Sequence, residues 1–233
     1  MQWISKCVLA HLSSSHSFSL FISFPVLISL RLHLVCITIS PEKATFFFIA
    51  TMNQKVVLIT GCSSGIGLSL AVRIANDEKK RFMVYATMRN TAKAEALKEA
   101  AGQTLGQTLE IKQLDVCDEN SIRACVDSLP MGKIDILISN AGVGMIGPVE
   151  CQTIEEMKSV MDTNFFGLVR LLKVVLPNMK RRKSGHIVVI SSIMGIQGIL
   201  FNDIYAASKF AVEGFCESLA VQAMRFNLNM HSK

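Results

Sequence analysis

No two of the seven cysteines form a CxxC pair, and no histidine stands at zinc-ligand spacing to any of them. That excludes the common zinc modules, and no metal site is expected. A disulfide framework would also be out of place in a chain of 233 residues. Cys7, Cys36, Cys62, Cys117, Cys125, Cys151 and Cys216 therefore read as buried or incidental thiols of a reducing compartment. The corresponding location is cytoplasmic, or membrane-associated on the cytosolic side.

Concentrated charge is lacking as well. The formal net charge is +6. Residues 1–51 carry Lys6, Arg31 and Lys43 against Glu42, which is +2, and the remainder carries +4. The basic residues are spread along the chain, so no nucleic-acid partner is expected. The densest run, Lys180-Arg181-Arg182-Lys183, closes an amphipathic stretch just before Ser184-Gly185. Positive charge there complements the carboxyl end of a helix; a nucleic-acid or lipid-headgroup patch is the alternative.

A long uninterrupted apolar run is missing too. Residues 18–30 are apolar but broken by serines and Pro25, and Arg31 and His33 follow. A membrane span needs roughly 20 apolar residues. Lys6 could open a signal peptide or anchor, but no small-x-small cleavage site precedes Arg31. Residues 1–51 are read as an atypical hydrophobic leader, either a non-native or alternative extension or a membrane anchor. Residues 52–233 are read as the domain, beginning at Met52-Asn53-Gln54-Lys55.

What is present from there on is an alternation of strand and helix patterns. Strands are expected at 55–60, 82–87, 109–114, 134–139 and 186–191. Helices are expected at 66–76, 92–101, 119–129 and 203–226, with one long helical region over 153–183, bent or divided near Pro177. Buried apolar strands separated by helices imply a parallel sheet covered on both faces. Right-handed crossovers make it an α/β, Rossmann-type doubly wound sheet in a single domain. No internal repeat is apparent.

Thr60-Gly61-Cys62-Ser63-Ser64-Gly65-Ile66-Gly67 lies between the first strand and the first helix. Gly61 permits the tight turn, Gly65 lets backbone approach a pyrophosphate, and Gly67 allows close helix packing. Ser63, Ser64 and Ile66 complete the loop, and the helix start offers free N–H groups to phosphates. An NAD site would place an acidic side chain after the second strand; Arg89 stands there instead and can face a 2′-phosphate. That favours NADP(H) as cofactor, a solvated loop arginine being the alternative. Asp115, with Val116, follows the third strand and can accept from an adenine amino group. Asn140-Ala141-Gly142 ends the fourth strand, where Asn140 braces strands and Gly142 leaves room for cofactor.

Tyr205 and Lys209 stand four apart on a helix, so both project from one face. An ammonium beside a phenol favours its ionised form, and such a pair can pass a proton at an alcohol oxygen while hydride moves to or from a nicotinamide. Ser192 ends the fifth strand and could hold the substrate oxygen beside Tyr205. Asn164, a poor helix former amid apolar neighbours, could hold a water that connects Lys209 to solvent; an exposed helical Asn is the alternative.

Together, TGCSSGIG at 60–67, SNAG at 139–142, Asn164, Ser192 and YAASK at 205–209 resemble the short-chain dehydrogenase/reductase family. In that family they serve as cofactor loop, strand brace and Asn-Ser-Tyr-Lys tetrad. Within it, GCSSGIGLSLA, YATMRN, QLDVCDE, DTNFFG and the stretch from Gly185 to Ala220 are similar to the photoreceptor-type retinol dehydrogenases, and next to type 1 estradiol 17-beta-dehydrogenases. Both resemblances imply NADP(H) and a bulky apolar alcohol or carbonyl, the retinoid ahead of the steroid. Val143, Met145, Gly195, Ile199 and Asn202, flanking the tetrad, would line the substrate pocket with Ser192 and Tyr205. The family commonly dimerises through the helices here at about 153–182 and 203–226, so a homodimer is implied.

Ser139 replaces the family's commoner Asn. The family's sixth strand starts where this chain stops, so the domain is expected to lack its last strands, leaving the sheet bare beyond the fifth. A non-catalytic form that binds cofactor or a partner subunit is therefore the alternative to an active oxidoreductase.

Overall fold

The computed structural model describes residues 54–232. The leader, including residues 18–30, lies outside the described residues. Among those described, no helix is long and apolar enough to cross a membrane.

Among the described residues, six strands alternate with helices: β1 (Lys55–Ile59), α1 (Gly65–Ala75), β2 (Phe82–Met88), α2 (Glu95–Ala101), β3 (Leu109–Gln113), α3 (Glu119–Asp127), β4 (Ile136–Ser139), α4 (Ile154–Met161), α5 (Gly167–Arg182), β5 (Gly185–Val189), α6 (Asp203–Met224) and β6 (Leu228–Ser232). The sheet runs β3-β2-β1-β4-β5-β6, and every neighbouring pair is parallel. The order reverses between β1 and β4, which opens a crevice at their carboxyl ends, where ligands bind in such sheets.

Period-two alternation in the strands builds two cores. Val56, Leu58, Leu137 and Ile187 face one side, against Leu171, Leu172 and Met179 of α5 and Val212 of α6. Val57, Ile59, Val84 and Ile138 face the other, against Ala71 and Ala75 of α1 and Leu97 of α2. Leu58, Ile59, Leu137, Leu171 and Ile187 are 0% exposed, and each such side chain contributes about 1.5–3 kcal/mol by leaving water.

Two sequence expectations are corrected. The sheet does not end at β5. Leu228 to Ser232 pair with Gly185 to Val189 in register. Asn227 makes this possible by taking a left-handed φ of 55° after α6, a conformation Asn tolerates better than most residues. Its side chain donates to the Lys183 carbonyl at 3.0 Å. Leu228 then buries into the core, while Asn229 and His231 face solvent, the alternation of a strand with one wet face.

The long helical region is not divided at Pro177, which lies inside α5 on its exposed side. The carbonyl it leaves without a helical partner is that of Lys173, which is also exposed. The division falls earlier, at a π-helical turn over Asp162–Phe166. Arg170 spans that turn, pairing with the Asp162 carboxylate and donating to its carbonyl. The basic run closes α5 as expected: Arg182 donates to the Ile134 carbonyl and pairs with Asp135, and Lys180 sits 4.8 Å from the Phe226 ring centre.

Candidate active site

The crevice at the β1/β4 switch is about 350 Å³ in volume. Gly61, Ser63, Ser64 and Ile66 of the glycine loop line it, with Arg89, Asp115 and Val116 and with Asn140, Ala141 and Gly142. Met88, Leu114, Cys117 and Thr163 also line it; sequence reasoning did not single these out.

The glycine loop is held by Asn140. Its amide donates to the Thr60 carbonyl at 2.9 Å and the Gly61 carbonyl at 3.0 Å. The Thr60 hydroxyl accepts from the Asn140 and Ala141 N–H groups, each at 3.0 Å. Thr60 thus locks the end of β1 to the end of β4, a role its place in the motif did not reveal. Gly61 has φ +73°, and a Cβ there would come within 2.8 Å of the Ala141 Cα, so no larger residue fits. Gly67 packs beneath the loop against Asn140, whereas a Cβ on Gly65 would meet nothing within 4 Å. Ser64 starts α1 without a side-chain cap. The first N–H groups of α1 therefore face an open, glycine-walled space, the arrangement that suits a pyrophosphate.

Around the crevice, the Asp115 carboxylate accepts from the Cys117 N–H at 2.9 Å, which fixes its direction. Arg89 is exposed at the lip, its carbonyl held by Gln113 at 3.3 Å. Among the lining residues the one carboxylate is that of Asp115. These residues fit a nicotinamide dinucleotide.

The structure links two of the four tetrad residues, Asn164 and Tyr205, through Ser208. The buried Asn164 amide donates to the Ser208 hydroxyl at 3.0 Å, and that hydroxyl donates to the Tyr205 carbonyl at 2.7 Å. Asn164 also accepts from the Val143 N–H and donates to the Val143 carbonyl. Both its amide protons are thereby taken, so its side chain braces the loop after β4. Ser208 is a site residue the sequence reading missed; its invisibility lies in Asn164 being 44 residues away.

Lys209 is 6% exposed. Its ammonium donates to the Ile190 carbonyl at 3.1 Å and lies 5.7 Å from the Tyr205 ring centre. Burial pulls the Lys209 pKa below the usual lysine value, and the Glu213 carboxylate opposes that shift. Ser192 follows β5, half-buried, its hydroxyl accepting from the Met194 N–H at 3.2 Å.

Of the remaining expected pocket residues, Val143 and Ile199 are each 40% exposed, and Met145 is half-buried. Asn202 starts α6 and donates to the Leu200 carbonyl at 2.9 Å. The Gly147 N–H donates to the Phe201 carbonyl at 2.8 Å, joining the loops that follow β4 and β5. Gly195 sits deeper, buried against Glu213, Ser191 and the Lys209 carbonyl. It shapes the turn behind Ser192.

Comparison with known proteins agrees with this geometry. Human retinol dehydrogenase 8 is 59% identical over 174 residues, covering 75% of this chain and 56% of that protein. Human 17-beta-hydroxysteroid dehydrogenase type 1 is 48% identical over 181 residues, covering 77% and 55%. The chain thus spans little more than half the length of these relatives. A crystal structure of an actinorhodin polyketide ketoreductase with NADPH superposes with a TM-score of 0.71 at 30% identity, covering 77% of this chain and 69% of that one. The family model for short chain dehydrogenase matches residues 55–232. With crevice, brace and Tyr–Lys pair on one sheet edge, the chain belongs to the short-chain dehydrogenase/reductase family.

Proposed function

We propose that this chain is an NADP(H)-dependent oxidoreductase that interconverts an apolar alcohol and its carbonyl, retinol and retinal before estradiol and estrone. The observation that carries it is the placement of the Lys209 ammonium beside Tyr205, at the end of β5. The order of substrates rests on 59% against 48% identity to the two relatives.

The glycine loop and α1 would bind the pyrophosphate of the cofactor, with Arg89 at its 2′-phosphate. The nicotinamide, when bound, supplies or accepts the hydride. The chain's own residues handle the proton. The Tyr205 hydroxyl donates it to the carbonyl oxygen in reduction and takes it back in oxidation. The Lys209 ammonium stabilises the phenolate so formed, and Ser192 holds the oxygen in line. Exposed Val143, Ile196, Ile199 and Leu200 at the mouth suit an apolar substrate.

A homodimer, placed on the cytosolic side, is part of the proposal. Ile154, Phe166 and Phe210 expose 57%, 48% and 48% of their surface along α4, the π turn and α6, an apolar face that pairing of two copies would cover.

The test is NADPH oxidation by the purified chain, offered retinal and estrone in parallel. Faster turnover of retinal, lost in Tyr205→Phe, is expected. Faster turnover of estrone would reverse the order, and no turnover from folded protein would leave the non-catalytic reading.

A further inference from the structure

Glu213 stands one turn beyond Lys209 on α6 and is half-buried. Its carboxylate accepts a hydrogen bond of 2.6 Å from the Ser232 hydroxyl at the end of β6. Its Cγ lies 2.9 Å from where a Cβ on Gly195 would stand, and the Ser191 hydroxyl and Lys209 carbonyl lie 3.0 and 3.3 Å from the same point. The Ser191 oxygen is buried without a hydrogen-bond partner. A carboxylate is thus held where α6, the turn after β5 and the end of β6 meet, on the same face of α6 as Lys209 one turn away.

Lys209 has a use for it. Its ammonium is buried and its hydrogen bond goes to a neutral carbonyl, an environment that favours loss of the proton. The other charged groups on elements packed against this part of α6 are exposed to solvent or already paired. Glu155, Glu156 and Lys158 of α4 are exposed, as are His186 of β5, His231 of β6, and Asp203 and Glu217 of α6 itself. Asp162 of the π turn is engaged by Arg170. Tyr205, Asn164, Ser191, Ser192 and Ser232 offer neutral groups.

We propose that Glu213 is a positioning residue: held between Ser232 and the turn over residues 191–195, it supplies the negative field that keeps buried Lys209 an ammonium beside Tyr205. This rests on the reading of Tyr205 and Lys209 as the proton-transfer pair. The hydroxyl of Ser232 holds the Glu213 carboxylate in place, which on this proposal gives the sixth strand a part in the site.

The experiment follows the Lys209 Cε resonance with pH in the full chain labelled with ¹³C-lysine, assigned by its absence in Lys209→Met. Glu213→Gln is expected to lower the Lys209 midpoint by about half a pH unit or more, roughly a threefold loss of proton affinity. Glu213→Asp keeps the charge and should recover most of the fall, while Ser232→Ala should show a smaller one. The alkaline limb of NADPH-dependent retinal reduction should move down in parallel, with the KM for retinal within about twofold. An unchanged midpoint in Glu213→Gln overturns the proposal. If that variant fails to fold, Ser232→Ala decides in the same way: a fall supports the proposal and no change overturns it. A wild-type chain without turnover counts against the proposed function and leaves the titration to decide the role of Glu213.

Discussion

Asn164 is hydrogen-bonded to both polar groups of a single residue, Val143: it accepts from the Val143 N–H at 2.8 Å and donates to the Val143 carbonyl at 2.9 Å. The side-chain amide completes the pattern a neighbouring strand would make, and so ends the loop after β4 with its backbone satisfied. Replacing Asn164 by Asp would point a carboxylate oxygen at that carbonyl and at Ser208. A loss of about 2–4 kcal/mol of stability is expected, read from the urea midpoint. A change below the error of the fit would show that the loop does not depend on this clamp.

Tyr205→Phe should lower kcat by about 10²–10⁴-fold, because one proton donor is removed. NADPH binding, followed by cofactor fluorescence, should stay within about twofold. Retained turnover would remove Tyr205 from the chemistry.

Arg89→Asp should exchange cofactor preference. Losing one charge-assisted contact to a 2′-phosphate costs roughly 1.5–3 kcal/mol, about 10–100-fold in the KM for NADPH. The new carboxylate should at the same time improve NADH, by accepting from the ribose hydroxyls. Equal effects on both cofactors would place Arg89 outside the phosphate site.

Lys209 should also leave a mark on stability. Burial lowers its pKa in the folded chain relative to the unfolded chain. Between the lowered value and the unfolded one, roughly 10.4, the unfolded chain holds a proton that the folded chain does not. Folding therefore becomes more favourable as pH rises through that window, by at most about 1.4 kcal/mol per unit. Urea unfolding from neutral to alkaline pH should show the wild type gaining on Lys209→Met. Parallel curves would mean that Lys209 keeps an ordinary proton affinity.

Phe210→Asp, placed on the exposed face of α6, should convert a dimer into monomers, measured by sedimentation velocity. A dimer that persists in this variant would put the interface elsewhere.

Much of this was legible in the sequence, and the parts that were not share a cause. The first five strands of the sheet, the glycine loop and the Tyr205–Lys209 spacing are all local patterns, each visible within a few residues. The π turn is not, since it is one widened turn inside a stretch that reads as helix on either side. Gly167 was its trace: a Cβ there would lie 2.9 Å from Val116 Cγ2, so the helix must pass close to the strand end. β6 was hidden because Leu228 to Ser232 alternate too briefly to announce a strand until β5 lies alongside. Ser208 and Glu213 act through Asn164 and Ser232, partners 44 and 19 residues distant.

The π turn over Asp162–Phe166 has a consequence for how this scaffold tolerates changes of length. A helix turn with a residue to spare can lose one without unravelling, since the ordinary α-helical ladder is what remains. Each residue of an α-helix rotates its successors by about 100°, so a deletion here would swing Asn164 off Val143 while the turns of α5 stayed packed on the sheet. A one-residue deletion after Asn164 would thus change the site while the core persisted.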